Sequence, residues 1–220
     1  AEPATLDGSS LPTYVDTRRG TLASGSFSRG NNIPATATPN GFNFWTPYTN
    51  ASSQSWLYEY HKANNANNKP VLQGFGISHE PSPWMGDRNQ LTFLPSTASG
   101  TPDATLSTRG LEFDHADETA RPDYYGVTFT NGSAIEATPT DHGAVLRFSY
   151  PGAKGHVLVD KVDGSSKLTY DQATGTISGW VENGSGLSVG RTRMFVAGTF
   201  DRSPTAGGTA AGARAGARFA

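Results

Sequence analysis

Cysteine is absent from the 220 residues, which excludes a disulfide scaffold, a thiolate metal site and a cysteine nucleophile together. Charge is scarce, at 16% Asp, Glu, Lys and Arg, so long solvated helices, coiled coils and acidic or basic tails are excluded as well. Seventeen basic against nineteen acidic side chains give a formal net charge of −2. With a pI near 6.2, the chain carries no electrostatic footprint for nucleic acid. No apolar run approaches the roughly 20 residues that cross a bilayer as a helix, so no membrane partner is expected. No segment sustains a period of 3.6, and helix is expected to be minor. Ala1-Glu2-Pro3-Ala4 has neither a basic nor a hydrophobic stretch. It reads as a mature end left after signal removal, hence an exported protein, or as an artificial boundary.

Glycine and proline are plentiful, 26 and 14 residues, and turns must therefore be frequent. Between them the apolar residues recur with period two. Tyr125, Val127 and Phe129 share one strand face, with Thr128 and Thr130 on the other, and Asn131-Gly132 follows as a turn. Ala144, Leu146, Phe148 and Tyr150 alternate with Val145, Arg147 and Ser149 up to Pro151-Gly152. Val157, Val159 and Val162, then Leu168 and Tyr170, Ile177 to Val181, and Met194 to Phe200 continue the series. Short strands at this spacing predict an all-β fold, a two-layer antiparallel β-sandwich with little helix. Thr36 to Asn50, Gln54 to His61, Val71 to Ile77 and Gln90 to Leu94 are further candidate strands. Ala63 to Asn68 is too polar to bury anything and reads as an exposed loop. Residues 1–202 form the predicted sandwich, and 203–220, rich in Ala, Gly and Arg, read as a low-complexity linker or cut end rather than a packed element.

Self-sufficient motifs are missing: no Gly-x-Ser-x-Gly elbow, Walker loop, His-Glu-x-x-His or EF-hand loop occurs. Gly74-Phe75-Gly76 lacks the third glycine of a dinucleotide fingerprint and reads as a tight strand. Asp160-Lys161-Val162-Asp163-Gly164 lacks the downstream glutamate of a calcium loop and reads as a hairpin turn. Asp114, His115 and Asp117 are one histidine and two carboxylates within four residues, a thin basis for a cation site. His61, His115, His142 and His156 read as surface or edge histidines. Of three sequons, at Asn50, Asn131 and Asn183, the last two are Asn-Gly turns.

The densest polar and aromatic segment is Ser78-His79-Glu80-Pro81-Ser82-Pro83-Trp84-Met85-Gly86-Asp87-Arg88-Asn89-Gln90, between two candidate strands. Its prolines stiffen it and lower the entropy lost on holding a ligand. Trp84 can stack on the apolar face of a sugar, and Asp87 or Glu80 can accept hydrogen bonds from vicinal hydroxyls. The same residues also suit an internal network, Asp87 with Arg88 and Glu80 with His79, with Trp84 plugging the edge of the core. Binding groups gather on loops held by a rigid scaffold, which favours the first reading.

Two stretches carry a family resemblance. One runs Gly30-Asn31-Asn32-Ile33-Pro34-Ala35-Thr36-Ala37-Thr38-Pro39-Asn40-Gly41 and on to Trp45-Thr46-Pro47-Tyr48-Thr49. The other is Gly74-Phe75-Gly76-Ile77-Ser78-His79, followed by Gly86-Asp87 and Leu94-Pro95. With Tyr124 to Val127, Ala137-Thr138, Arg147 to Pro151 and Phe195 to Ala197 in order, Val15 to Phe200 resembles the amino-terminal domain of glycoside hydrolase family 92, the calcium-dependent exo-acting α-mannosidases. The resemblance implies a sandwich packed on a separate (α/α)₆ barrel that supplies the catalytic carboxylates and most of the calcium ligands. This chain would then hold no catalytic residue and no metal ligand of its own. It would line the non-reducing mannose subsite through His79, Glu80, Trp84, Gly86, Asp87 and Arg88.

Asp87 matches the family's Gly-Asp aspartate and His79 its Ser-His histidine. Glu80 to Trp84 replaces the second histidine and small-residue turn usual in the family, which reshapes the pocket. The implied substrates are α-mannosides of mannan or N-glycans. A cation such as Arg88 also suits a mannose-1-phospho-6-mannose linkage, and a non-catalytic carbohydrate-binding sandwich is the alternative of another class.

Overall fold

The computed structural model describes residues 8–23, 26, 32–53, 56–78, 91–161, 164–184, 189–202, 204–209 and 218–219. Among these residues fourteen strands succeed one another: β1 (Phe44–Tyr48), β2 (Val71–Leu72), β3 (Gly74–Ser78), β4 (Leu91–Ser96), β5 (Leu111–Ala120), β6 (Tyr125–Phe129), β7 (Ala134–Pro139), β8 (Ala144–Ser149), β9 (His156–Asp160), β10 (Ser165–Asp171), β11 (Thr176–Asn183), β12 (Thr192–Thr199), β13 (Gly208–Thr209) and β14 (Arg218–Phe219). Helix among the described residues is confined to a 3₁₀ segment, Gly8–Tyr14, and one turn, α1 (Leu106–Arg109). None of it is long and apolar enough to cross a membrane. The all-β expectation holds.

Every strand pair is antiparallel, and the strands form three sheets. Their orders are β1-β3-β4-β9-β14-β13, β2-β5-β6-β7-β8 and β10-β11-β12. One apolar cluster draws on all three: Trp45, Phe75 and Leu158 from the first, Phe113, Tyr125 and Ile135 from the second, Leu168, Ile177 and Val181 from the third. Phe75 stacks on Trp45 at 6.0 Å and on Tyr125 at 4.9 Å, bridging two sheets. Each such buried ring contributes about 1.5–3 kcal/mol of burial. Trp45 Nε1 also donates to the Gly143 carbonyl at 3.0 Å, tying β1 to the β7–β8 turn.

The alternating runs behave as read. Tyr125, Val127 and Phe129 are buried with Thr128 outward, and Ala144, Leu146 and Phe148 face inward between exposed Val145, Arg147 and Ser149. At the β6–β7 hairpin Gly132 takes a φ of +81°, the left-handed region that glycine enters without a Cβ penalty.

Four expectations need correction. Of Gln54 to His61, the described residues 56–61 are a packed loop and not a strand. Leu57 and Tyr58 are buried, and its backbone bonds run to Thr49, Asn50 and Thr21. Val71 to Ile77 is two strands in different sheets, broken at Gln73, whose amide bridges Ala51 N at 3.0 Å and the Leu106 carbonyl at 3.2 Å. Asp160 to Gly164 crosses from β9 in one sheet to β10 in another, so it is no hairpin. Within 203–220, read as unpaired linker, β14 pairs with β9 and β13 with β14. The free edge of β9 offers unpaired backbone groups that such a segment satisfies.

Candidate functional site

The candidate loop springs from neighbouring strands. β3 ends at Ser78 and β4 begins at Leu91, with Ile77 opposite Leu91 and Gly76 opposite Thr92. The glycines of Gly74-Phe75-Gly76 are required by contact: a Cβ on Gly76 would strike the Tyr48 ring and come within 2.8 Å of the Leu91 carbonyl, and one on Gly74 would lie 2.9 Å from Thr92 Cβ. The segment is a tight strand, as read. His79, Glu80, Trp84, Gly86, Asp87 and Arg88 lie outside the described residues. Their frame, the β3–β4 end of the six-stranded sheet, is described.

Directly under this frame sits a buried ionic knot. Arg109, in α1, donates from Nε to the Gln73 carbonyl at 2.8 Å and from Nη2 to Thr92 Oγ1 at 3.4 Å, and pairs through Nη1 with Asp160 Oδ2. Thr92 Oγ1 donates in turn to the Asp160 carbonyl at 3.1 Å. The Arg109 and Asp160 side chains are 2% and 3% exposed. One guanidinium thus fixes the β2–β3 break, the second residue after the loop, and the end of β9.

A second buried carboxylate, Glu118 of β5, gathers a larger cluster. Tyr58 donates to it at 2.9–3.0 Å, Tyr125 at 2.9 Å, and Arg18 reaches Oε2 at 3.4 Å. His115 Nδ1 lies 2.8 Å from Oε2, and its Nε2 lies 2.6 Å from the Tyr60 carbonyl. Tyr60 stacks on the imidazole at 3.8 Å. Burial, and then the charge of Glu118, push the Tyr58 and Tyr125 phenols well above the usual tyrosine range, so both remain donors. Arg18 is raised chiefly by its bonds to Asp16, whose own carboxyl is held low by that guanidinium.

Neither carboxylate can act on a substrate from where it stands. Glu118 is enclosed, with a side-chain exposure of 0%, and Asp160 is spent on Arg109. An inverting glycosidase needs an acid and a base about 6.5–9.5 Å apart with water between them. The described residues likewise offer calcium no fit: no group of three His, Asp or Glu converges. Asp114 pairs with Lys69 at 2.9 Å while His115 turns to Glu118, so that trio diverges. The other histidines make local contacts, His142 stacked on Phe42 at 4.4 Å, His61 edge-on to Tyr60 and His156 near the Ala98 carbonyl. Asn183 is buried.

Glu118 escapes a sequence reading because Asp-His-Ala-Asp-Glu looks solvated, and the pairing of Arg109 with Asp160 escapes it because the two stand 51 residues apart. A register shift between Phe113 and Glu118 reverses the parity of β5, so that an even-numbered glutamate shares the buried side with an odd-numbered phenylalanine.

The family model for the glycosyl hydrolase family 92 N-terminal domain matches residues 14–218. Among solved structures, the chain is similar to the family GH92 inverting mannosidase BT2199 from Bacteroides thetaiotaomicron VPI-5482. They share 33% identity with a TM-score of 0.67, over 76% of this chain and 22% of that one. The α-mannosidase BT3965 from Bacteroides thetaiotaomicron shares 22% identity at a TM-score of 0.62, over 78% and 24%. The GH92 family glycosyl hydrolase ccman5 shares 22% at 0.65, over 84% and 26%. These last two show likeness of fold. No curated protein matches the chain. The chain spans only about a quarter of the length of these solved relatives. With the family model covering nearly all of its residues, the chain belongs to the glycosyl hydrolase family 92 N-terminal domain family.

Proposed function

We propose that this chain is the amino-terminal domain of an exported, inverting exo-α-mannosidase, in which residues 79–90 line the non-reducing mannose subsite and a separate (α/α)₆ barrel supplies the acid, the base and the calcium. The observation that carries the reading is the 33% identity to the inverting mannosidase BT2199, over 76% of this chain. The enclosure of Glu118 and Asp160 supports it, because the described part of the domain then contributes scaffold and not bond-breaking groups. Trp84 packs on the sugar ring, Asp87 orients hydroxyls, and His79 and Glu80 shape the loop that carries them, with Gly86 and Arg88 beside Asp87. The substrates are α-mannosides of mannan or N-glycans.

Two measurements test this. The full-length enzyme should release mannose from α-mannosides with β-mannose as the first product by proton NMR, while the 1–220 chain alone should release none, with or without calcium. Turnover by the 1–220 chain would refute the division of labour. In the full-length enzyme, Asp87→Ala should lower kcat/KM about tenfold to a hundredfold, since a hydrogen bond from a charged group contributes about 1.5–3 kcal/mol. Its thermal midpoint should stay put, and an unchanged kcat/KM would remove Asp87 from the site.

A further inference from the structure

The three-stranded sheet has two unlike faces. Leu168, Ile177, Val181, Met194 and Val196 point into the core. On the other face the register places Lys167, Trp180 and Phe195 side by side across β10, β11 and β12. Phe195 is 74% exposed in mid-strand, among Thr169, Ser178 and Ala197. Beside it Arg193 lies over the Trp180 ring at 4.0 Å, forks onto Glu182 at 3.0–3.1 Å, and shares that carboxylate with Arg191 at 3.2 Å. An exposed phenylalanine beside a preorganised Trp–Arg–Glu–Arg ladder has the composition of an interface centre, where aromatic residues and arginine are enriched.

The position of this face narrows its occupant. The Glu182–Arg193 row lies at the sheet end entered from β9: a Cβ on Gly164 would press on the Glu182 carbonyl and come within 3.0 Å of Arg191 Nη2. Asp160, four residues earlier, is opposite Thr92, the second residue after the candidate loop. The face and the β3–β4 ends that flank the candidate loop therefore lie at one end of the sandwich. In the solved relatives the matched fold is 22–26% of the chain, so some three quarters of each lies outside it. A glycan is a poorer fit, because Arg193 already covers the Trp180 ring and leaves Phe195 without a second open ring to build a stacking platform.

We infer that the outer face of β10–β12, centred on Phe195 and Trp180, is the surface on which the catalytic domain of the same polypeptide docks. The inference rests on the reading above that such a domain is present.

Thiol labelling in the full-length enzyme tests it. Phe195→Cys is compared with Val145→Cys, a position 69% exposed on β8, using a maleimide and mass spectrometry of the peptides that carry each thiol. Phe195→Cys should label at least tenfold more slowly than Val145→Cys in the native enzyme, and at the same rate in urea. Equal native rates would overturn the docking face, and so would protection that disappears on dilution, which would assign the face to a second copy. Mannose release by the parent enzyme tests the reading separately. Release with a freely labelled Phe195→Cys strikes only the docking face, whereas protection without release strikes only the mannosidase assignment.

Discussion

Replacing Glu118 by alanine is expected to cost the domain about 3–5 kcal/mol, the order found when one partner of a buried charge network is deleted. For a domain of this size that is a fall of roughly 6–20 °C in the thermal midpoint. The deletion does not merely subtract bonds. Tyr58 and Tyr125 lose their acceptor inside the core, and Arg18 and His115 lose the anion they face. Each buried donor left unpaired carries a desolvation penalty of about 1–3 kcal/mol. Tyr58→Phe removes one donor and its need together, so it should cost about 1 kcal/mol. A double-mutant cycle between Tyr58→Phe and Glu118→Ala should show coupling, because the two groups share a hydrogen bond. A midpoint within 2 °C of the parent for Glu118→Ala would show that the cluster does not hold the domain together.

The cluster also explains how Arg18 and the loop at 56–61 are held, which alternation leaves obscure. The loop at 56–61 has no strand partner. It is held because Tyr58 reaches Glu118, the Tyr60 carbonyl meets His115, and the Tyr60 amide donates to Thr21. Arg18 ties the preceding segment to the same carboxylate and to the His115 and Glu118 carbonyls. Buried polar groups must be satisfied somewhere, and here one glutamate serves two loops and two strands.

What the residues disclose in advance follows the same physics. Period-two alternation reports burial on one face of a strand, so the hairpins β6–β7 and β7–β8 are legible from Tyr125, Val127, Phe129, Leu146 and Phe148. It is silent where parity shifts, as in β5, and reports only one face of a strand covered on both, as in β9 with four consecutive buried residues. Sheet membership is silent too. Gln73 and the 161–164 crossover move the chain between sheets through side-chain bonds and long-range pairing, and neither leaves a local mark. The loop from His79 to Gln90 stands out by composition, since two prolines, a tryptophan, a histidine and three charged side chains are dense for a chain so poor in charge. The carboxylates that organise the core do not, because a buried glutamate and an exposed one are the same letter.

The Arg109–Asp160 pair yields the second large effect, and its location gives it a consequence beyond stability. Arg109→Met leaves Asp160 as a charge in the interior with its cation gone, at an expected cost of about 3–5 kcal/mol. Asp160→Leu together with Arg109→Met removes both charges and should recover most of that loss, as apolar replacement of a buried ion pair often does. Urea unfolding of the parent, the single variant and the double variant decides this. A double variant as unstable as Arg109→Met would mean that the hydrogen bonds to Gln73 and Thr92, and not the charge balance, carry the stabilisation. The two variants separate a further question. Arg109→Met with Asp160→Leu keeps the volume near the base of the loop but loses the bond from Arg109 to Thr92, the second residue after it. If the knot sets the strand ends from which residues 79–90 spring, the double variant of the full-length enzyme should recover its stability and still show a raised KM. Recovery of both would confine the knot to folding.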